Sequence, residues 1–255
     1  MMVEGRLYIG TSGFTYNHWR DVFYPRELSE KKWLEYYARH FSTVEINSSF
    51  YHLPRLSTCK NWGERVPENF LFAMKASRYI THIKKLRDIE EPVKNFFQVI
   101  HSLEKKLGPI LFQFPPGMKK DIPLLEDFIE KLPRGFCHVF EFRNRTWFED
   151  DLFNLLDNRG ITFCIHDLPK RATPYVETGN FNYVRFHGAQ AAYSSFYSEK
   201  ELEKWARRFI ECTKTGKDVF SYFNNDMHGY AIENAKTLKH ILGEYMEFHN
   251  YCSGD

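Results

Sequence analysis

Residues 43–54 read TVEINSSFYHLP. The first five, Thr43–Asn47, have the makings of a short core strand. Period-2 alternation turns Val44 and Ile46 to one face and Glu45 and Asn47 to the other. A core strand carrying a carboxylate and an amide on one face is expected to help floor a polar pocket. Glu45 would then pair with Lys75 or Arg185 when the pocket is empty, and Glu45→Gln would spare the fold while removing activity.

Working outward, similar apolar, β-rich segments recur at Leu7–Thr11, Phe70–Lys75, Ile110–Phe114, Cys137–Phe142, Ile161–Ile165, Asn182–His187 and Asp218–Phe223. With Thr43–Asn47 that makes eight. The gaps carry helical periodicity. In LSEKKWLEYYARHF, Trp33, Tyr37 and Phe41 form a stripe that Ser29 can cap. In EPVKNFFQVIHSLEKKLG the stripe runs from Val93 to Leu107 and Gly108 closes it. Further helices are expected over Asp121–Leu132, over Asp150–Arg159 ending at Gly160, after the Ser198/Glu201 capping box, and over Gly229–Leu242 with Gly243 as the stop. The gap after strand 2 has room for a short helix at most (Thr58–Val66), and LPKRATPYVETGN after strand 6 for none.

Eight strands alternating with helices in 255 residues fit an α/β fold, a single (β/α)8 TIM barrel of parallel strands spanning 1–255 as one domain. The 35 basic and 33 acidic residues nearly cancel, so no global field commits the chain to nucleic acid or an anionic membrane. No apolar run approaches the 18 residues of a membrane helix. The five cysteines, Cys59, Cys137, Cys164, Cys212 and Cys252, show no paired spacing and are read as reduced, which favours a cytoplasmic protein.

Active sites of such barrels form at the C-terminal strand ends. Strand 1 runs there into Gly10-Thr11-Ser12-Gly13, strand 2 delivers Glu45, Asn47 and Tyr51, and strand 3 delivers Lys75 and then His82. Strand 4 delivers Gln113, strand 5 Glu141 and Arg143 with Trp147 beyond, and strand 6 His166-Asp167. Strand 7 ends in Arg185 and His187, strand 8 in Asn224-Asn225-Asp226. Burying charge at nearly every strand end costs several kcal/mol per unpartnered group, so the ring is read as a site. Glu45, Glu141, Lys75, Asp167 and His187 are the catalytic candidates. Asn47, Tyr51, His82, Gln113, Arg143, Trp147, Arg185, Asn224 and Asn225 are the substrate-binding ones. Trp19, Phe50, Tyr193 and Tyr197 join Tyr51 and Trp147 as aromatics expected around the rim.

Each carboxylate of the ring has a Lys or Arg candidate partner, which disfavours a metal centre; no cofactor is expected. The reading is therefore a metal-independent enzyme acting on a small anionic polyhydroxylated substrate, a sugar phosphate or nucleotide-like molecule. Hydrolase, isomerase and lyase chemistry all remain open. Lys75 could serve as a Schiff-base nucleophile, but an ion pair with a neighbouring carboxylate is the stronger expectation. One alternative is nucleic-acid binding through the basic loop Lys75–Arg87, with Tyr79 interleaved. A second is a metal-dependent hydrolase or isomerase using Glu141, Asp167 and His187.

GTSGF, TVEINSSFYHLP, FAMKAS with a following TH, LFQFPPG, EFRNRTW, VRFHG and YFNND resemble, in order, the signatures of the YecE-like family, domain of unknown function 72. The resemblance runs from about Leu7 to Leu242. It implies a TIM barrel and carries no established activity with it. His166 stands before Asp167 where the family pattern has a small residue, which leaves that neighbourhood outside the analogy.

Overall fold

The computed structural model describes residues 4–252. Eight parallel strands lie in the order β1-β8-β7-β6-β5-β4-β3-β2. They are β1 (Leu7–Thr11), β2 (Thr43–Ile46), β3 (Leu71–Lys75), β4 (Leu107–Gln113), β5 (His138–Glu141), β6 (Thr162–His166), β7 (Phe181–Phe186) and β8 (Asp218–Phe223). The helices are α1 (Trp33–Ala38), α2 (Ser48–Tyr51), α3 (Leu56–Glu64), α4 (Glu90–Ile100), α5 (Ile122–Glu130), α6 (Asp150–Asn158), α7 (Glu199–Lys214) and α8 (Tyr230–Cys252). This is a nearly closed (β/α)8 barrel.

Two hydrophobic layers follow from the strand alternation. Tyr8, Ala73, Leu111, Val139, Cys164, Tyr183, Phe220 and Tyr222 fill the barrel interior. The opposite strand faces, among them Ile9, Val44, Phe72, Phe112, Phe140, Phe163 and Val184, pack against the helices. Interior positions change from apolar to charged toward the C-terminal ends, which is where the site lies.

The barrel closes at β1 and β2 without a regular ladder; a single bridge joins Ser12 to Glu45. Tyr37, which follows Trp33 in the α1 stripe, sends its hydroxyl into this seam. It accepts the Thr11 N–H at 2.9 Å and donates to the Thr43 carbonyl at 3.2 Å. Tyr37→Phe leaves a buried N–H unmet and is expected to cost about 1–2 kcal/mol in urea denaturation. An unchanged midpoint would show that packing alone closes the barrel.

Several local expectations hold. α6 gives way to Gly160 at φ +63°, and Ser198 and Glu201 form the capping box of α7. The only regular elements between β2 and β3 are α2 and the nine-residue α3, and no helix stands between β6 and β7. There the chain lays hydroxyls against the strand. Thr173 Oγ1 accepts the His166 N–H at 2.9 Å, and Thr178 Oγ1 accepts the Phe163 N–H at 2.8 Å.

Three expectations are corrected. Gly108 does not end a helix: α4 stops at Ile100, a 3-10 stretch covers His101–Lys106, and Gly108 lies inside β4. A Cβ there would sit 3.2 Å from the Phe72 carbonyl oxygen on β3, a tight contact between neighbouring strands. Gly243 does not stop α8, which continues to Cys252. Ser29 makes no side-chain cap; it precedes a 3-10 turn, Glu30–Lys32, that leads into α1.

Cys59, Cys137, Cys164 and Cys212 are free thiols, while the Cys252 side chain and residues 1–3 and 253–255 lie outside the described residues. Among the described residues no helix is long and apolar enough to cross a membrane.

Candidate functional site

At the C-terminal end of the interior, β7 presents Arg185 between two carboxylates. Its Nη2 donates to Glu45 Oε1 at 2.8 Å and its Nη1 to Glu141 Oε2 at 2.7 Å, and all three side chains are buried. Glu45 also accepts from Ser12 Oγ at 2.6 Å, Asn47 Nδ2 at 3.1 Å and Tyr183 Oη at 2.6 Å. Four donors thus converge on one carboxylate. The inward face of Thr43–Asn47 is explained: Glu45 ties β1, β2 and β7 together, through Arg185 and not through Lys75.

Glu141 faces two guanidiniums. Arg143 ion-pairs with its Oε1, Arg185 bonds its Oε2, and Gln113 Nε2 donates to the same Oε2 at 3.0 Å. Burial pulls the Glu141 carboxyl upward, but Arg143 and Arg185 outweigh it and hold the group well below the usual range. Burial likewise works against the Arg185 charge, and the two carboxylates reverse it.

His187 lies beside this pair with both ring nitrogens engaged. Arg143 Nη2 is 3.0 Å from Nε2 and Asn224 is 3.2 Å from Nδ1. A guanidinium can only donate, so Nε2 accepts and Nδ1 carries the proton. Asn224 must then turn its amide oxygen toward Nδ1. Burial pushes the His187 pKa well below its ordinary value, so the ring is neutral.

Lys75 departs from expectation. Among the described residues no carboxylate lies within 4.0 Å of its Nζ. The amine donates instead to Gln113 Oε1 at 3.1 Å and sits 4.2 Å from the centroid of the Phe50 ring. Only 8% of the residue is exposed. Burial, then the nearby Arg185, bring its pKa down to about 8. His82 packs edge-on against the same Phe50 ring at 4.9 Å, and burial with the charges of Lys75 and Arg78 lowers its pKa to about 4.

Asp167 is engaged by structure. Its Oδ1 accepts the His187 N–H at 2.8 Å and its Oδ2 accepts the Tyr197 hydroxyl. Burial raises its pKa to about 6. With His187 fully bonded and Glu141 held by arginines, the three candidate metal ligands do not converge. Among the described residues no group of three or more His, Cys, Asp or Glu could hold a metal ion.

The remaining expected site residues divide. Tyr51 stands exposed at the mouth on α2, edge-on to Phe50 at 5.0 Å. Trp147 is not on the rim: it is fully buried, bonded to the Met118 carbonyl at 2.8 Å and packed on Phe142. Trp19 and Tyr197 are core residues too. Asn225 takes no part in the strand-end network around Glu141, its amide bonding the Ser195 carbonyl and Asn234, both at 2.9 Å, to pin α8 to the loop after β7. In both cases the chain position near a strand end was right and the side-chain direction was not.

Three participants were not among the candidates: Ser12 and His166, placed at strand ends without a role, and Tyr183. Ser12 and Tyr183 bond Glu45 directly, and buried His166 lies 5.8 Å from His187, ring to ring. Tyr183 was findable, since residues 183, 185 and 187 share a strand face by alternation. Asn224, which reaches His187 Nδ1, also lines a cleft of about 480 Å³ together with Tyr16, His18, Tyr193 and His228. Tyr193 and His228 both hold left-handed backbone, φ +63° and +64°, a strain typical of functional loops.

Comparison with known proteins identifies the family. Residues 8–251 match the family described as Protein of unknown function DUF72. The chain belongs to the DUF72 family. UPF0759 protein YunF of Bacillus subtilis is 29% identical, over 92% of this chain and 94% of its own length. UPF0759 protein YecE of Escherichia coli is 31% identical over 55% of this chain and 57% of its own. The crystal structure of a DUF72 family protein from Thermotoga maritima superposes with a TM-score of 0.85 at 32% identity, covering 93% and 99% of the two chains. A DUF72 family protein from Enterococcus faecalis, 22% identical, shares the fold with a TM-score of 0.81.

In this DUF72 chain the basic loop after β3 forms a π-helical turn, Tyr79–Ile83, with Arg78, Lys85 and Arg87 exposed. Lys85, Leu86 and Asp88 all take left-handed backbone. Lys84 leans on Asp88 at 3.9 Å, so part of the loop charge is met within the loop.

Proposed function

We propose that this DUF72 protein binds a small anionic polyhydroxylated molecule, a sugar phosphate or nucleotide-like compound, above Lys75 and Arg143 and acts on it as a metal-independent enzyme. One observation carries the reading. Of three cations at the strand ends, Arg185 and the half-buried Arg143 pair with Glu141 and Glu45, while buried Lys75 has no carboxylate within 4.0 Å among the described residues; His187 is neutral and Asp167 is spent on the His187 N–H and Tyr197. An uncompensated positive charge in a low-dielectric pocket is costly, and one phosphate or carboxylate would offset it. The cleft lined by Asn224, Tyr16 and Tyr193 suits a ring or its hydroxyls.

The proton-transfer roles move with this geometry. Glu45 and Glu141 hold guanidiniums in place. Burial raises Asp167 and Asp226 to about 6 and brings Lys75 down to about 8; Asp167 is spent on the His187 N–H and the Tyr197 hydroxyl, so Lys75 is the better proton-transfer candidate.

Thermal melting with inorganic phosphate, sugar phosphates, nucleoside monophosphates and short oligonucleotides tests the proposal. A small anion at about 100 times its dissociation constant should stabilise by about 2.7 kcal/mol, a rise of about 5–10 °C. Lys75→Met should lose most of that rise. Stabilisation by oligonucleotides alone, fading with salt, would instead assign function to the basic loop.

A further inference from the structure

Lys75 is placed with care for a residue that forms no ion pair. Its carbonyl accepts the Ser49 hydroxyl at 2.6 Å, which anchors the strand end. Its amine lies over the Phe50 ring and reaches Gln113 Oε1. The charged groups that face it are Arg185 and Arg143, positive, and Glu141 and Glu45, negative, with the imidazole of His82 edge-on to the same Phe50 ring. An amine pressed on an apolar face, beside guanidiniums and without a carboxylate of its own, is in the surroundings that make lysine a nucleophile.

We infer that Lys75 is a covalent nucleophile toward carbonyl compounds, condensing through Nζ with an aldehyde or ketone that carries an anionic group to form an imine at the barrel mouth. This rests on the anion-binding reading above for the substrate's charge, and on Lys75 alone for the bond. The Nζ lone pair forms a bond to the carbonyl carbon, and the carbonyl oxygen takes up a proton to give a carbinolamine. That hydroxyl takes a second proton and leaves as water, while nitrogen gives up one of its own. One amine, one carbonyl and one proton yield one iminium ion and one water, with no oxidant or reductant. Neutral His82, on the ring that supports Lys75, can pass the proton between nitrogen and oxygen. Arg143, beside Glu141, is the group placed to hold the substrate's anion.

The amine titrates near 8, against about 10.4 for an ordinary lysine, so at pH 7.5 the free-amine fraction is on the order of a hundredfold larger at Lys75. The full-length protein is incubated at pH 7.5 with glycolaldehyde phosphate or with uncharged glycolaldehyde, each with cyanoborohydride, and mapped by mass spectrometry. The expected result is one reduced adduct, on Lys75, absent from Lys75→Arg, forming at least tenfold faster with the phosphorylated probe and accelerating with pH through about 8. The thermal response of the wild-type protein to inorganic phosphate is measured in parallel and reads anion binding apart from the imine. Adducts scattered over exposed lysines such as Lys60 and Lys85, equal in wild type and Lys75→Arg, would overturn the imine, and a wild-type phosphate response would leave anion binding standing. Equal labelling of Lys75 by both probes would support the imine and overturn the anion-binding reading.

Discussion

Replacing Arg185 with methionine lowers the stability of the barrel by about 3–5 kcal/mol. The guanidinium is 1% exposed and bonds Glu45 and Glu141 at 2.8 and 2.7 Å. Its removal leaves two buried carboxylates with Arg143 as the nearest cation. The pH dependence should change sign. In the native protein the Glu141 carboxyl lies below its unfolded value, so its contribution is present above about pH 4.3 and is lost as pH falls through the folded pKa. In the variant, burial of the Glu141 carboxyl is no longer offset by Arg185 and raises it, the folded state binds more protons than the unfolded, and stability increases as pH falls from 7 toward 5. Adding Glu45→Gln and Glu141→Gln should recover most of the loss, because the cost is that of stranded charge. Guanidinium denaturation at pH 5 and pH 7 measures all of this. A loss under about 1 kcal/mol with the native pH trend would mean the ion triad is dispensable to the fold.

Gly10→Ala costs about 3 kcal/mol, the upper part of the usual range for overpacking. The added methyl would overlap the Thr43 carbonyl oxygen and come within 3.1 Å of the Tyr37 hydroxyl. Both belong to strands or side chains that close the β1–β2 seam, so neither can withdraw without opening the barrel. Gly63→Ala is the control: nothing lies within 4 Å of its Cβ position in α3, and it should gain about 0.5–1 kcal/mol from helix propensity. If the two substitutions had equal effects on the urea midpoint, close approach at the seam would not be what requires glycine.

The barrel was legible because two periodicities alternate cleanly along the chain, and β1 and β8 match their sequence limits to the residue. The ring of charge was legible for the same reason: alternation from a strand tells which side chains look inward. It fails once the strand ends. Trp147 and Asn225 lie beyond β5 and β8, where direction depends on loop geometry, and both turned into the protein. Pairing was the other blind spot. Charge counting assigned Lys75 a carboxylate, but the Arg185 guanidinium lies between Glu45 and Glu141 and bonds each with one of its terminal nitrogens. Gly108 looked like a helix stop since glycine marks both helix ends and close strand contacts.

Gln113 gives the pocket a direction. An ionised carboxylate can only accept, so Glu141 obliges the Gln113 amide to turn its nitrogen inward and its oxygen outward, toward Lys75. The amide therefore behaves as a fixed polarity, set from the arginine side and read at the lysine. An uncharged Lys75 donates a hydrogen to that oxygen and keeps its lone pair uncommitted. A glutamine, ordinarily indifferent to which way round it sits, is here a one-way element that hands the barrel's buried negative charge to an amine as an orientation.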